Sequence, residues 1–150
     1  MEPTGSTVTR STDVRFADTN ILLYAVSREP QERHKAELAR GILADRDVAL
    51  SVQVLQEFYV QATRESRGDP LTHEQATKLV ESFLRFPVAD MTTQVMRAAL
   101  ATRQRFQISY WDAAILEAAR ALGCETVLSE DLSDGQDYAG VEVQNPFRPI

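Results

Sequence analysis

The stretch VRFADTNILLY, residues 14–24, constrains the fold of this chain more than any other. Val14 and Phe16 alternate with Arg15 and Ala17 at the period of a short strand, and Asp18 falls on the Phe16 face where the apolar run stops. Thr19 and Asn20 read as turn and cap residues, after which Ile21, Leu22 and Tyr24 open a helical pattern. A strand that ends in an acid and turns directly into a helix is the unit of an open α/β sheet. In such sheets ligands bind outside the carboxyl ends of the strands.

The rest of the chain repeats that alternation. Apolar spacing predicts helices over residues 31–45, 53–66, 72 to about 85, 92–105 and 111–122, the last stopped by Gly123. Thr72 and Gln75 form a capping box for the third of these. Short strands are predicted at 48–52, 86–90, 125–128 and 141–143, with residues 129–138 as a polar loop. The run VALSV at 48–52 is apolar almost throughout, which suits a strand covered on both faces, whereas Pro87 argues for an edge strand or a strand start. The fold class is therefore α/β, with a central parallel sheet between helical layers, α/β/α.

With 150 residues and 43% hydrophobic content, one domain is expected over residues 14–150, preceded by a loose tail over 1–13. A single cysteine, Cys124, excludes an internal disulfide and a cysteine-built zinc site. The polar start MEPTGSTVTRSTD has no secretory pattern and no apolar run is long enough to span a bilayer, so a cytoplasmic protein without membrane association is expected. A net charge of −6 argues against phosphate binding through a basic surface. That objection weakens if several acids gather around a divalent cation, which inverts the local sign.

Four acids fall at equivalent places. Asp18 ends the first strand, Glu57 lies early in the helix after the second, Asp112 is in the first turn of the helix near Tyr110, and Asp131 follows the strand at 125–128. Right-handed crossovers bring all such positions to one edge of a parallel sheet. Each acid taken alone has an ordinary account. Asp18 can cap a helix, Asp112 follows Ser109 at capping-box spacing, Glu57 can be a solvated helical acid, and Asp131 sits in an acid-rich loop with Glu130, Asp134 and Asp137. Asp112, however, shares a helical stripe with Ile115, Leu116, Ala119 and Leu122, which turns its charge toward the core side and calls for a cationic partner. Oxygen-only ligation favours Mg²⁺ or Mn²⁺, and a carboxylate-held hard cation suits displacement at phosphorus. His34 and His73 are the only histidines and lie on polar helix faces, so no Ser-His-Asp arrangement is evident, nor is there a glycine-rich phosphate loop.

The segments ADTNILLYA, LQEFY, SYWDAAIL and LSEDLSDGQ, in this order and spacing, resemble the PIN-domain ribonucleases, most closely the VapC-type toxins of bacterial toxin–antitoxin pairs. The resemblance covers residues 14–147. It implies a Mg²⁺- or Mn²⁺-dependent endoribonuclease whose acidic site comprises Asp18, Glu57, Asp112 and Asp131. Asp18 and Asp112 match the motif best as direct ligands, with Glu57 and Asp131 acting directly or through water. Asn20 and Ser109 would hold those carboxylates in place, and Asp134 is an ambiguous neighbour. The resemblance further implies an RNA substrate, a homodimer and a small antitoxin that often sends a basic residue into the acidic pocket. Arg28, Arg33, Lys35, Arg64, Arg67, Arg103 and Arg105 are candidates to track phosphates, and the helices near 79–86 and 95–100 are candidate dimer faces. Competing readings are a housekeeping PIN nuclease that processes RNA, a receiver-like phosphoacceptor and a non-catalytic domain that keeps the fold. The receiver lacks its paired acids at the first strand and its lysine after a later one.

Overall fold

A computed structural model describes residues 14–45 and 47–149. The tail expected over residues 1–13 lies outside the described residues. In chain order the elements are β1 (Arg15–Ala17), α1 (Thr19–Ala25), a 3-10 turn (Pro30–Glu32), α2 (Arg33–Ala44), β2 (Val48–Ser51), α3 (Val52–Ala62), α4 (His73–Phe83), β3 (Val88–Ala89), α5 (Thr93–Phe106), α6 (Tyr110–Ala121), β4 (Thr126–Leu128), β5 (Asp137–Tyr138) and β6 (Val141–Gln144). The strands form one sheet in the order β3-β2-β1-β4-β6-β5, flanked by helices. All neighbouring pairs are parallel except β5 with β6.

Burial explains the placement. All of β2 is buried, as a strand covered on both faces must be, and Phe16 and Ala17 of β1 are inaccessible at the centre. Pro87 precedes the edge strand β3, where its missing N–H is harmless while its carbonyl accepts from Leu50 N at 2.9 Å. Chain order reverses at β1, which has β2 on one side and β4 on the other. Helices leaving the sheet in opposite directions open a crevice there. Caps set the helix starts on that edge: Ser51 Oγ accepts from Val54 N, and Ser109 Oγ accepts from Asp112 N. The Thr72–Gln75 capping box of α4 is present in both directions.

Several boundaries differ from expectation. Thr19 and Asn20 lie inside α1, and its cap is Asp18, whose carboxylate accepts from Thr19 N. The helix expected over 31–45 starts as a 3-10 turn, with Pro30 at its first position. The helix expected over 53–66 stops at Ala62, where the Thr63 hydroxyl donates to the Tyr59 carbonyl at 2.8 Å. Finally, the polar loop at 129–138 ends in β5, which pairs with β6 as a hairpin and buries Tyr138.

Candidate active site

The crevice at the reversal point holds a cavity of about 190 Å³ whose walls include Asp18, Glu57, Asp112 and Asp131. Four separate elements deliver them. Asp18 follows β1, with its backbone N–H donating to Leu128 O at 2.9 Å, so the end of β4 holds it in register. Glu57 comes from α3, Asp112 from the first turn of α6, and Asp131 from the loop after β4.

Hydrogen bonds across long stretches of chain orient these groups. Asp18 accepts at one oxygen from Thr19 N (2.7 Å) and at the other from the buried Ser129 hydroxyl (2.8 Å). The Ser129 oxygen in turn accepts from the N–H groups of Asp131 and Leu132, shaping the loop that carries Asp131. Thr19 Oγ1 donates to Glu57 Oε1 at 2.8 Å. Asn20 donates its amide to Asp131 at 3.3 Å and accepts from Glu130 N. The Ser109 hydroxyl caps the backbone of α6 at Asp112, and a side-chain hydrogen bond from Ser109 also lowers the Asp112 pKa. Asp134 points elsewhere, accepting from Asn145 N and pairing with Arg148. Thr19 and Ser129 thus join the candidate site beyond the residues the sequence singles out; Thr19 follows the acid that ends β1 and Ser129 follows the end of β4, which is the signal each carries.

The cavity is electrostatically short of positive charge. Burial, the largest influence, pushes Asp18 up to about 6, and the nearby charges of Glu57 and Asp131 push the same way against its two hydrogen bonds. Asp112 is also raised, chiefly by burial, against a hydrogen bond from Ser109 that lowers it and with a smaller push from Asp131. Gln53 donates its amide to Trp111 O, while its buried Oε1, at the same cavity, finds no donor among the described residues. No group of three or more His, Cys, Asp or Glu among the described residues forms a ready-made metal cage. The donor set still fits a hard cation of the Mg²⁺ type, because every donor is an oxygen and such ions keep waters and take ligands from phosphates.

An α/β sheet whose reversal-point crevice is lined by acids from four elements defines an acidic-site domain. The PIN domain family model matches residues 15–133, and the chain belongs to that family. The solved structures it resembles include a toxin–antitoxin complex from Klebsiella pneumoniae, at 21% identity and TM-score 0.65 over 90% of this chain and 99% of that one. A DNA-bound VapBC from Salmonella typhimurium matches at 20% identity and TM-score 0.63, covering 89% and 98% of the two chains. VapC20 of Mycobacterium tuberculosis, described as a toxin that cleaves the sarcin–ricin loop, matches at 18% identity and TM-score 0.60, covering 78% and 89%. These likenesses show the same fold. No curated protein matches the sequence. Among the described residues no helix is long and apolar enough to cross a membrane.

Proposed function

We propose that this PIN domain is a Mg²⁺- or Mn²⁺-dependent endoribonuclease and the toxin of a toxin–antitoxin pair. The observation that carries the reading is the convergence of Asp18, Glu57, Asp112 and Asp131 on one cavity, with burial holding Asp18 well above the usual carboxylate range. A bound divalent ion would supply a nucleophilic water and charge stabilisation at phosphorus. Asp18 and Asp112 would hold it, and Glu57 and Asp131 would bind it directly or through water. Thr19, Asn20 and Ser129 keep three of those carboxylates aimed into the cavity. The toxin role is supported by neighbours that are themselves described as toxins and toxin–antitoxin complexes.

The same reading includes a small antitoxin partner, a homodimer and action in the cytoplasm. Val60, Leu84, Met96 and Leu100 leave apolar surface exposed on α3, α5 and just past α4, as a chain with protein partners would. The test is cleavage of total RNA by purified protein in Mg²⁺ or Mn²⁺, in EDTA, and with Asp18→Asn. Cuts that need metal and vanish in the variant are expected. Cleavage that persists in EDTA, or at full rate in Asp18→Asn, would overturn the assignment. Growth arrest on expression, relieved by a neighbouring small protein, separates a toxin from an RNA-processing nuclease.

A further inference from the structure

Two side chains flank the carboxylate cavity without any part in the chemistry above. Trp111, the only tryptophan in the chain, lines the cavity at the start of α6 and leaves its side chain 61% exposed. Among the described residues it is the most exposed large hydrophobic residue. Tyr110 meets it edge to face, at 5.0 Å between ring centroids, and Gln53 ties its backbone carbonyl to α3. The indole is therefore held at the mouth of the site with surface to spare, an arrangement suited to an unstacked base.

On the other flank Asn20, Leu23 and Asp131 form a wall shared with a second cavity of about 220 Å³, which Arg67 also lines. The acids there are engaged already: Glu32 takes the Ser27 hydroxyl, and Glu130 takes Tyr24 and Lys35. Arg67 is half-buried and, among the described residues, its guanidinium makes no hydrogen bond or ion pair. Of the other cations named as phosphate trackers, Lys35 pairs with Glu130 and Arg28 lies 3.7 Å from Asp69, while Arg33, Arg64, Arg103 and Arg105 line neither cavity. A partly desolvated, unpartnered guanidinium is poised for an anion, and its planar fork matches phosphate.

We propose that single-stranded RNA crosses the carboxylate cavity with one base stacked on Trp111 and a flanking phosphate held by Arg67, so that these two residues set where along the strand the cut falls. The inference rests on the nuclease reading and adds the path of the strand to it. A duplex keeps its bases stacked inside and cannot use the indole.

Having one tryptophan makes the test direct. Trp111 fluorescence is followed while a short mixed-sequence single-stranded RNA is added to the Asp18→Asn protein in Mg²⁺, with anisotropy of labelled RNA reporting binding independently. Quenching by single strands and not by the annealed duplex is expected. In cleavage by otherwise native protein, Arg67→Ala and Trp111→Ala should each raise KM about tenfold with kcat little changed. Arg67→Lys and Trp111→Phe should recover part of the loss, which a merely structural role would not reproduce, and Trp111→Phe covers an alanine variant that fails to fold. For Arg67→Ala the salt dependence of binding should also fall by about one ion. RNA that binds and is cut while Trp111 stays unquenched and both variants keep native KM overturns the path and leaves the nuclease standing. Quenching by a protein partner alone overturns it too. RNA neither bound nor cut overturns both.

Discussion

The Ser129 hydroxyl donates to Asp18 Oδ2 at 2.8 Å across 111 residues of sequence, and Ser129 is inaccessible to solvent. That bond ties the ends of β1 and β4 on either side of the crevice. It also lowers the pKa of Asp18 against the burial that raises it. Ser129→Ala removes the donor to a buried carboxylate and the acceptor for the Asp131 and Leu132 N–H groups. A loss of about 1–3 kcal/mol is expected in denaturant unfolding. The Asp18 carboxyl should titrate higher still, so divalent-ion binding measured by calorimetry at neutral pH weakens. A variant as stable as the parent and unchanged in metal affinity would show that the hydroxyl holds nothing.

Arg120 clamps the far end of the sheet. From α6 it pairs with the buried Glu117 at 2.9 Å and donates to the carbonyls of Tyr138 and Ala139, fastening the β5–β6 turn to the helix that carries Asp112. Arg120→Met leaves the Glu117 charge with only the Thr102 hydroxyl. The expected cost is about 2 kcal/mol, held below the fully buried case because Arg120 is partly exposed. Adding Glu117→Gln should restore part of it, and strict additivity of the two losses in a double-mutant cycle would contradict the pairing.

What the sequence disclosed and withheld has a physical pattern. The α/β alternation was readable because apolar periodicity is local; β2 followed from a run of apolar residues, and one proline narrowed β3 to an edge or a strand start, of which the sheet order shows the edge. Asp18, Glu57, Asp112 and Asp131 were legible as a set because a parallel sheet maps strand ends to one edge. Ser129 and Thr19 were not, since a serine or threonine beside a strand end is ambiguous until its distant acceptor is known. The β5 strand was hidden because two residues, Asp137 and Tyr138, are too short to show a period. Among the seven basic candidates, pairing decided in three dimensions which cations were already taken.

The β5–β6 turn itself is testable. Ala139 has φ +54° and Gly140 φ +98°, the signs of a type I′ hairpin turn, and alanine is poorly suited to the first of these positions. Ala139→Asn, whose side chain tolerates left-handed backbone, should raise stability by about 0.5–1 kcal/mol. The Arg120 bond there goes to the backbone carbonyl, so it survives the substitution. A lowered thermal midpoint would mean that the turn tolerates alanine for a reason other than its backbone sign.

Asp18 links the site to stability through pH. Its carboxyl is raised from 3.8 to about 6, chiefly by burial, so the folded state binds this proton more tightly than the unfolded chain does. The contribution is therefore fully present below about pH 4 and is lost as pH rises through 6, leaving the ionised, metal-free protein about 3 kcal/mol worse off than an unperturbed carboxylate would. Glu130 and Asp134 run the other way. In Glu130, burial pushes upward but the bonds from Lys35 and Tyr24 prevail, and in Asp134 the Asn145 N–H and Arg148 hold the pKa down. Their contributions are lost on acidification, so only a comparison with Asp18→Asn isolates the buried group. That variant should be more stable than the parent at pH 8, by about 1–2 kcal/mol after one lost hydrogen bond is allowed for. The difference should shrink or reverse by pH 4. Saturating Mg²⁺ should then raise the melting temperature of the parent at pH 8 and leave Asp18→Asn nearly unmoved, because only a ligand that binds the folded acidic cavity can offset its repulsion. Equal melting curves for the two proteins across that range, with and without the ion, would remove Asp18 as the strained centre of the site.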